Sequence, residues 1–209
     1  MVKNNCPYKT YFLEEYLRNY NIDTDKVQNI IEIGAKDCKE SLKFAELFPN
    51  AYITAFECNP RLVEPCEFNT IENDRIKVVP KMVTDKPENT TFYMPDNGPG
   101  MGSMKKPLLS GSSTSVETIR MDEFLGDEEI DLLWIDVQGA ELDVLNSFGS
   151  KLQNVKHIYC EMNLLPMRYY DSSSPSSVTD KLMDFKIDET HLISKNEVHI
   201  ILTKMSEAY

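Results

Sequence analysis

The stretch that decides the fold is Gln28-Asn29-Ile30-Ile31-Glu32-Ile33-Gly34. Its branched apolar residues form a short run that is typical of a buried strand, and Gly34 ends that run. Because glycine lacks a Cβ, the backbone can turn sharply there and approach a ligand closely. The stretch therefore predicts a central strand whose carboxyl end opens into a binding loop.

Further apolar strands alternate with helical segments on either side of this stretch. We predict strands over residues 51–56, 75–79, 132–137 and 157–161, and helices over residues 40–48, 60–69, 140–148 and 178–185. This alternation is typical of an α/β fold, a parallel sheet with helices on both faces. Two closing strands, 189–193 and 198–203, predict a terminal hairpin that adds an antiparallel strand to the edge of the sheet.

The ends of this pattern set the expected domain organisation. An amphipathic helix is predicted over residues 8–21, and we expect residues 1–209 to form a single domain. Residues 95–115 are rich in glycine, proline and serine, and they are too many for a simple connection. We expect this segment to be either a functional lid or locally disordered.

Composition and charge narrow the class of partner. The chain is 41% hydrophobic and 27% charged, which is normal for a globular protein, and its formal net charge is -12. That charge disfavours nucleic acid and anionic membranes as partners, since both would be repelled. The five cysteines have no C-x-x-C spacing, so we expect reduced thiols. The first 20 residues have no apolar core of signal-peptide length, and we expect a cytoplasmic protein.

Polar residues stand where the predicted strands end, and ligands of such sheets bind at that edge. Glu57 follows the second strand, 23 residues beyond Gly34, the spacing at which a carboxylate holds a ribose diol. Asp136 follows an apolar strand, where an acid costs solvation energy unless it is paired or used. Each has a structural alternative, because Glu57 can be a solvated turn residue and Asp136 can cap the next helix.

Three segments carry a resemblance to a known family. They are Ile31-Glu32-Ile33-Gly34-Ala35, Ala55-Phe56-Glu57-Cys58-Asn59-Pro60 and Ile135-Asp136-Val137-Gln138-Gly139-Ala140-Glu141. In this order and spacing they resemble the FkbM family of S-adenosylmethionine (SAM)-dependent methyltransferases. The resemblance implies a Rossmann-like class I methyltransferase fold, a seven-stranded, mostly parallel sheet. The chain departs from the family pattern at Lys36, Cys38 and Gln138, where the family favours asparagine, glycine and glutamate.

The resemblance also implies roles for single residues. Those expected to contact SAM are Glu32, Gly34, Ala35, Lys36, Glu57, Cys58, Thr84, Asp85, Ser103, Met104, Asp136 and Gln138. Among them, Glu57 would bind the ribose hydroxyls, while Thr84 and Asp85 would border the adenine. Asp136 and Gln138 would face the reactive sulfonium.

The resemblance implies O-methylation of a sugar, a glycan or a related small molecule. A hydroxyl is a poor nucleophile until its proton leaves, so a base is needed. Asp136 is the first candidate and Glu161 the second. Asp136, Glu161 and Asn163 also form a set of oxygen ligands that suits a divalent cation such as Mg²⁺ or Mn²⁺. The substrate candidates are Asn163, Arg168 and Tyr169. An alternative for the domain organisation is that the chain is one domain of a larger glycan-modifying protein.

Two other functions fit parts of the same pattern. A nicotinamide-dependent oxidoreductase also uses a glycine and a distant acid, but residues 34–38 lack the second and third glycines that make room for a pyrophosphate. A non-catalytic module of the same fold is the other alternative. The changes at Lys36, Cys38 and Gln138 favour it, and the presence of Glu57 and Asp136 speaks against it.

Overall fold

A computed structural model describes residues 10–86, 89–96, 98–164 and 169–205. Its helices are α1 (Thr10–Asn19), α2 (Lys39–Leu47), α3 (Val63–Thr70), α4 (Met121–Phe124), α5 (Glu141–Ser147) and α6 (Pro175–Lys181). Its strands are β1 (Asn29–Ile33), β2 (Tyr52–Phe56), β3 (Ile76–Val79), β4 (Met82–Val83), β5 (Thr90–Pro95), β6 (Gly111–Val116), β7 (Thr118–Ile119), β8 (Ile130–Ile135), β9 (Val155–Asn163), β10 (Phe185–Ser194) and β11 (Glu197–Lys204). The helix predicted over 8–21 is α1, and residues 8 and 9 lie outside the described residues.

Seven of these strands form one sheet in the order β10-β11-β9-β8-β1-β2-β3. Neighbouring strands from β3 to β9 are parallel, and β11 is antiparallel to both β9 and β10. The predicted α/β class with a mostly parallel sheet is confirmed. The predicted terminal hairpin is confirmed as β10 and β11 at one end of the sheet, although the antiparallel strand β11 lies between β9 and β10 and is not the outermost strand.

The apolar core lies on both faces of this sheet. Along β1, Ile31 and Ile33 pack on the side of α5 and α6, whereas Ile30 packs on the side of α1 and α2. The period of two in a strand explains why alternate residues serve two different layers. No helix within the described residues is both long and apolar enough to cross a membrane.

The segment predicted as a lid or as disorder contains regular structure. Residues 111–116 form β6, which pairs antiparallel with β5, and Ser103 forms an isolated bridge with Tyr93. The expectation of disorder is therefore wrong for these residues. Their backbone groups find partners within a hairpin, which a composition rich in glycine and serine does not reveal.

The expectation that all cysteines are reduced thiols is also wrong. Cys38, at the start of α2, is joined to Cys66 of α3 by a disulfide, and both residues are fully buried. Cys58 and Cys160 are free. The two bonded cysteines are 28 residues apart in the chain and meet because the turn before α2 contacts α3, so their spacing gave no signal.

Candidate active site at the carboxyl edge of the sheet

The candidate site lies where β1, β2 and β8 end side by side. Gly34 follows β1 with a φ of +90°, and its N–H donates a hydrogen bond to the carbonyl oxygen of Phe56. A Cβ at this position would overlap the carbonyl oxygen of Asp136. Glycine is therefore required here both by the backbone conformation and by the close approach of β8.

Glu57 holds the loop after β1 in place. One carboxylate oxygen accepts a hydrogen bond from the backbone N–H of Lys36 at 2.7 Å, and the other accepts one from Asn59 at 2.6 Å. Burial raises the pKa of Glu57 from 4.5 to about 7, against the lowering effect of these hydrogen bonds. Glu57 is thus a buried acid whose charge is supported by backbone donors, and not a solvated turn residue.

Gln138 bridges the two acids predicted as bases. Its Nε2 donates to Asp136 Oδ1 at 2.8 Å and to Glu161 Oε1 at 2.9 Å. The side chains of Gln138 and Glu161 are buried, whereas Asp136 is partly exposed. Asp136 does not cap α5. The N-cap of α5 is Ala140, and it makes no side-chain capping hydrogen bond.

Two further buried acids stabilise the surrounding loops. Glu141 accepts a hydrogen bond from the Gly139 N–H at 2.7 Å, and burial raises its pKa to about 8. Glu32 accepts a hydrogen bond from Ser41, and burial raises its pKa well above the usual range. The carboxylate of Asp136 contributes to the raised pKa of both residues. Burial therefore favours the protonated, neutral form of both acids, which serve as hydrogen-bonding groups beside the site.

Most of the predicted cofactor residues line one pocket at this edge. These are Gly34, Lys36, Glu57, Cys58, Ser103, Met104, Asp136 and Gln138. Glu32 and Ala35 are buried behind it and do not line it. Thr84 is fully buried, and Asp85 lies in a separate polar depression beside Asp143 and Ser173. Neither residue that was predicted to border the adenine is in the pocket.

One wall of the pocket was not predicted from the sequence. It is apolar and consists of Phe56, Leu62, Met82, Val83 and Phe92. Phe92 comes from β5 and Leu62 from the turn before α3, which are distant in sequence. The apolar pair Met82-Val83 directly after β3 was the one local signal that could have pointed to this wall.

The predicted substrate residues have three different outcomes. Tyr169 is buried, and its hydroxyl donates to the carbonyl oxygen of Met101 at 2.6 Å, so it ties down the segment that carries Ser103. Asn163 is buried at the end of β9, and its Nδ2 has no hydrogen-bond partner within the part of the chain that the structure describes. Arg168 lies outside the described residues.

A cluster beyond Glu161 was also missed. His199 Nε2 lies 3.3 Å from Glu161 Oε2 and 3.0 Å from Glu197 Oε1. Glu161 is shared by this cluster and by the predicted cation set of Asp136, Glu161 and Asn163. The residues of β11 were read only as a closing strand, because the pairing of β11 with β9 cannot be seen in the local pattern.

Comparison with known proteins identifies the family of this chain. The sequence profile of the Methyltransferase FkbM domain matches residues 28–188. The 2-O-methyltransferase NoeI of Sinorhizobium fredii (strain NBRC 101917 / NGR234) is 30% identical over an alignment of 178 positions, which covers 76% of this chain and 72% of NoeI.

Solved structures share the fold at lower identity. The methyltransferase domain of METTL16 has a TM-score of 0.57 and 14% identity, covering 99% of this chain and 71% of that chain. TrmK of M. capricolum, in complex with its natural cofactor product S-adenosyl-homocysteine, has a TM-score of 0.52 and 11% identity, covering 90% and 67%. These likenesses confirm the predicted class I methyltransferase fold.

Proposed function

The chain belongs to the FkbM methyltransferase family, and we propose that it transfers a methyl group from SAM to a hydroxyl group of a sugar, a glycan or a related small molecule. The name of the relative NoeI, a 2-O-methyltransferase, supports oxygen as the acceptor atom. The observation that carries the proposal is the pocket at the ends of β1, β2 and β8, with Gly34, Glu57 and Asp136 on its surface.

The residues of the pocket fit the parts of SAM. Glu57 is proposed to accept hydrogen bonds from the ribose hydroxyls, since each of its oxygens has a lone pair beyond the one used by the backbone. The apolar wall of Leu62, Met82 and Phe92 is proposed to hold the adenine, in place of Thr84 and Asp85. The turn at Gly34 leaves room for the methionine part, and Ser103 and Met104 close the pocket.

The chain's own task is to align the acceptor and to take up its proton. SAM supplies an electrophilic methyl group on a sulfonium centre, so the reaction needs alignment more than covalent help. Asp136 is proposed as the proton acceptor, because it lines the pocket and is held by Gln138. We do not propose a divalent cation between Asp136 and Glu161, since the Gln138 amide nitrogen already bridges their oxygens.

The partners and the location are part of the same proposal. The net charge of -12 supports a small-molecule or glycan acceptor over nucleic acid or a membrane surface. A parent protein with further glycan-modifying domains is also proposed. For the location, the cytoplasm expected from the sequence and an oxidising compartment are the two alternatives. The Cys38–Cys66 disulfide argues against the cytoplasm, because disulfides persist mainly in oxidising compartments. Alkylation of thiols in freshly lysed cells, followed by mass spectrometry, distinguishes a cytoplasmic from an oxidising location, because only reduced cysteines are alkylated.

The first test is calorimetric titration with SAM, S-adenosylhomocysteine and NAD. We expect saturable SAM binding that Glu57→Ala weakens by at least about tenfold, the loss of one or two charge-assisted hydrogen bonds. Glu64→Ala, at an exposed acid of α3, is the matched control and should bind normally. Binding of NAD without SAM would favour the oxidoreductase alternative.

The second test is transfer of a labelled methyl group from SAM to methyl glycosides of common hexoses. Methylation that Asp136→Asn abolishes while SAM binding persists would support the assigned proton acceptor. SAM binding by the wild-type protein without transfer to any hydroxyl compound, sugar or other, would favour the non-catalytic alternative.

A further inference from the structure

We propose that Glu161, Glu197 and His199 bind one divalent first-row transition-metal ion, of the Mn²⁺ or Zn²⁺ type. The three side chains converge from two paired strands. His199 lies directly opposite Glu161 in the register of β9 and β11, and Glu197 lies two residues before His199 on the same face. The site is fixed by sheet pairing and not by a mobile loop.

The distances between the side chains suit a shared ion. His199 Nε2 is 3.3 Å from Glu161 Oε2 and 3.0 Å from Glu197 Oε1, and the ligand atoms all lie within 4.8 Å of one another. Metal–ligand bonds of about 2.0–2.2 Å place neighbouring ligand atoms roughly 3 Å apart. One imidazole nitrogen and two carboxylates favour a transition metal over Ca²⁺ or Mg²⁺, which prefer all-oxygen sites.

Two residues behind the cluster orient its ligands. The Tyr159 hydroxyl lies 2.5 Å from His199 Nδ1, which leaves Nε2 facing the glutamates. Tyr159 is itself buried and stacked on Trp134 at 3.5 Å. Gln138 binds Oε1 of Glu161 and leaves Oε2 on the side of the cluster. Such outer contacts are a regular feature of protein metal sites.

An independent observation also indicates a ligand at this place. Asn163 is 7% exposed and lies directly opposite Glu197, yet its Nδ2 has no hydrogen-bond partner among the described residues. The same holds for Oε1 of the 8% exposed Gln138. Buried amide atoms are normally paired. Since an amide can be flipped, Asn163 can present its oxygen as a further ligand.

The position of the cluster gives the ion a role. Gln138 lines the cofactor pocket and touches Glu161, so the ion would lie next to the pocket wall and near Asp136. Under the proposed function, on which only this role depends, the ion would fix Glu161 and, through it, the Gln138 amide that holds Asp136. Binding of the ion itself is independent of SAM and of the acceptor.

The test titrates the EDTA-treated full chain with Mn²⁺, followed by electron paramagnetic resonance, and with Zn²⁺, followed by calorimetry, without SAM. We expect one ion per chain and a loss of affinity of at least about tenfold in His199→Gln and in Glu161→Gln. His191→Gln is the matched control, because His191 Nε2 lies 2.9 Å from Glu189 Oε2 on the neighbouring strand, and it should bind as the wild type does.

The absence of saturable binding by the wild-type chain would overturn the proposal, as would equal binding by His199→Gln. The cluster would then be a hydrogen-bonded network only. If the variants do not fold, nuclear magnetic resonance of the wild-type chain gives a second measurement. The chain has three histidines, and substoichiometric Mn²⁺ should broaden the His199 imidazole signals before those of His191 and His157. Uniform broadening of all three would refute the site. SAM binding is measured separately, so failure here leaves the proposed function untouched.

Discussion

Substitution of Glu57 by glutamine should change how the stability of the protein depends on pH. Burial raises the pKa of Glu57 from 4.5 to about 7 in the folded chain. Between these two values the folded state binds more protons than the unfolded state, so stability falls as the pH rises. The full shift corresponds to about 3 kcal/mol. Less than half of this is lost by pH 5.5 and nearly all of it by pH 8.

The variant lacks this titration, so its stability should fall less steeply. Between pH 5.5 and pH 8 the wild type should lose about 2 kcal/mol of its free energy of unfolding through Glu57, and Glu57→Gln should not. The difference in free energy of unfolding, variant minus wild type, should therefore rise by about 2 kcal/mol. The mismatch of the amide NH₂ with the N–H of Lys36 or Asn59 lowers the stability of the variant at every pH, so it does not affect this difference.

The assay is urea unfolding at a series of pH values in the absence of SAM, followed by circular dichroism. Glu64→Gln, at an exposed acid, is the control and should follow the wild-type curve. Glu141, with a pKa raised to about 8, remains in both proteins, so some decline persists in the variant. Parallel curves for Glu57→Gln and the wild type would refute the reasoning, because Glu57 would then ionise normally in the folded chain.

Three further changes have expected results. Gly34→Ala should lower stability by at least about 2 kcal/mol in thermal unfolding, because φ at this position is +90° and the added Cβ would overlap Asp136. Gly126→Ala is the control and should be nearly neutral, since its Cβ would meet only the flexible end of Glu128. Reduction of the Cys38–Cys66 disulfide should lower the free energy of unfolding by about 3–4 kcal/mol, and the reductant should have no such effect on Cys66→Ser. Tyr169→Phe loses the hydrogen bond to Met101, so the free energy of unfolding should fall by about 1 kcal/mol and the amides of residues 98–104 should exchange faster. Unchanged exchange would show that Tyr169 does not anchor this segment.

Much of the candidate site could be predicted, and its position shows why. Gly34, Glu57 and Asp136 each directly follow a strand of the parallel sheet, and the ends of parallel strands meet at one edge. Thr84 and Asp85 were predicted at the same edge by their place after β3, but β4 lies between β3 and these residues and pairs with β7 in a separate sheet. The apolar wall that includes Phe92 was missed, because β5 comes from a hairpin whose pairing with β6 has little local signal.

The sequence by itself determined the order of strands and helices, the class of fold and the acids at the strand ends. These features depend on the local period of apolar residues and on short motifs, which the sequence displays directly. Only the tertiary structure decided the insertion of β11 beside β9, the Cys38–Cys66 disulfide and the meeting of Glu161 with His199. These features join residues that are 28 or more positions apart, and such contacts depend on how whole elements pack and not on the residues near them in the chain.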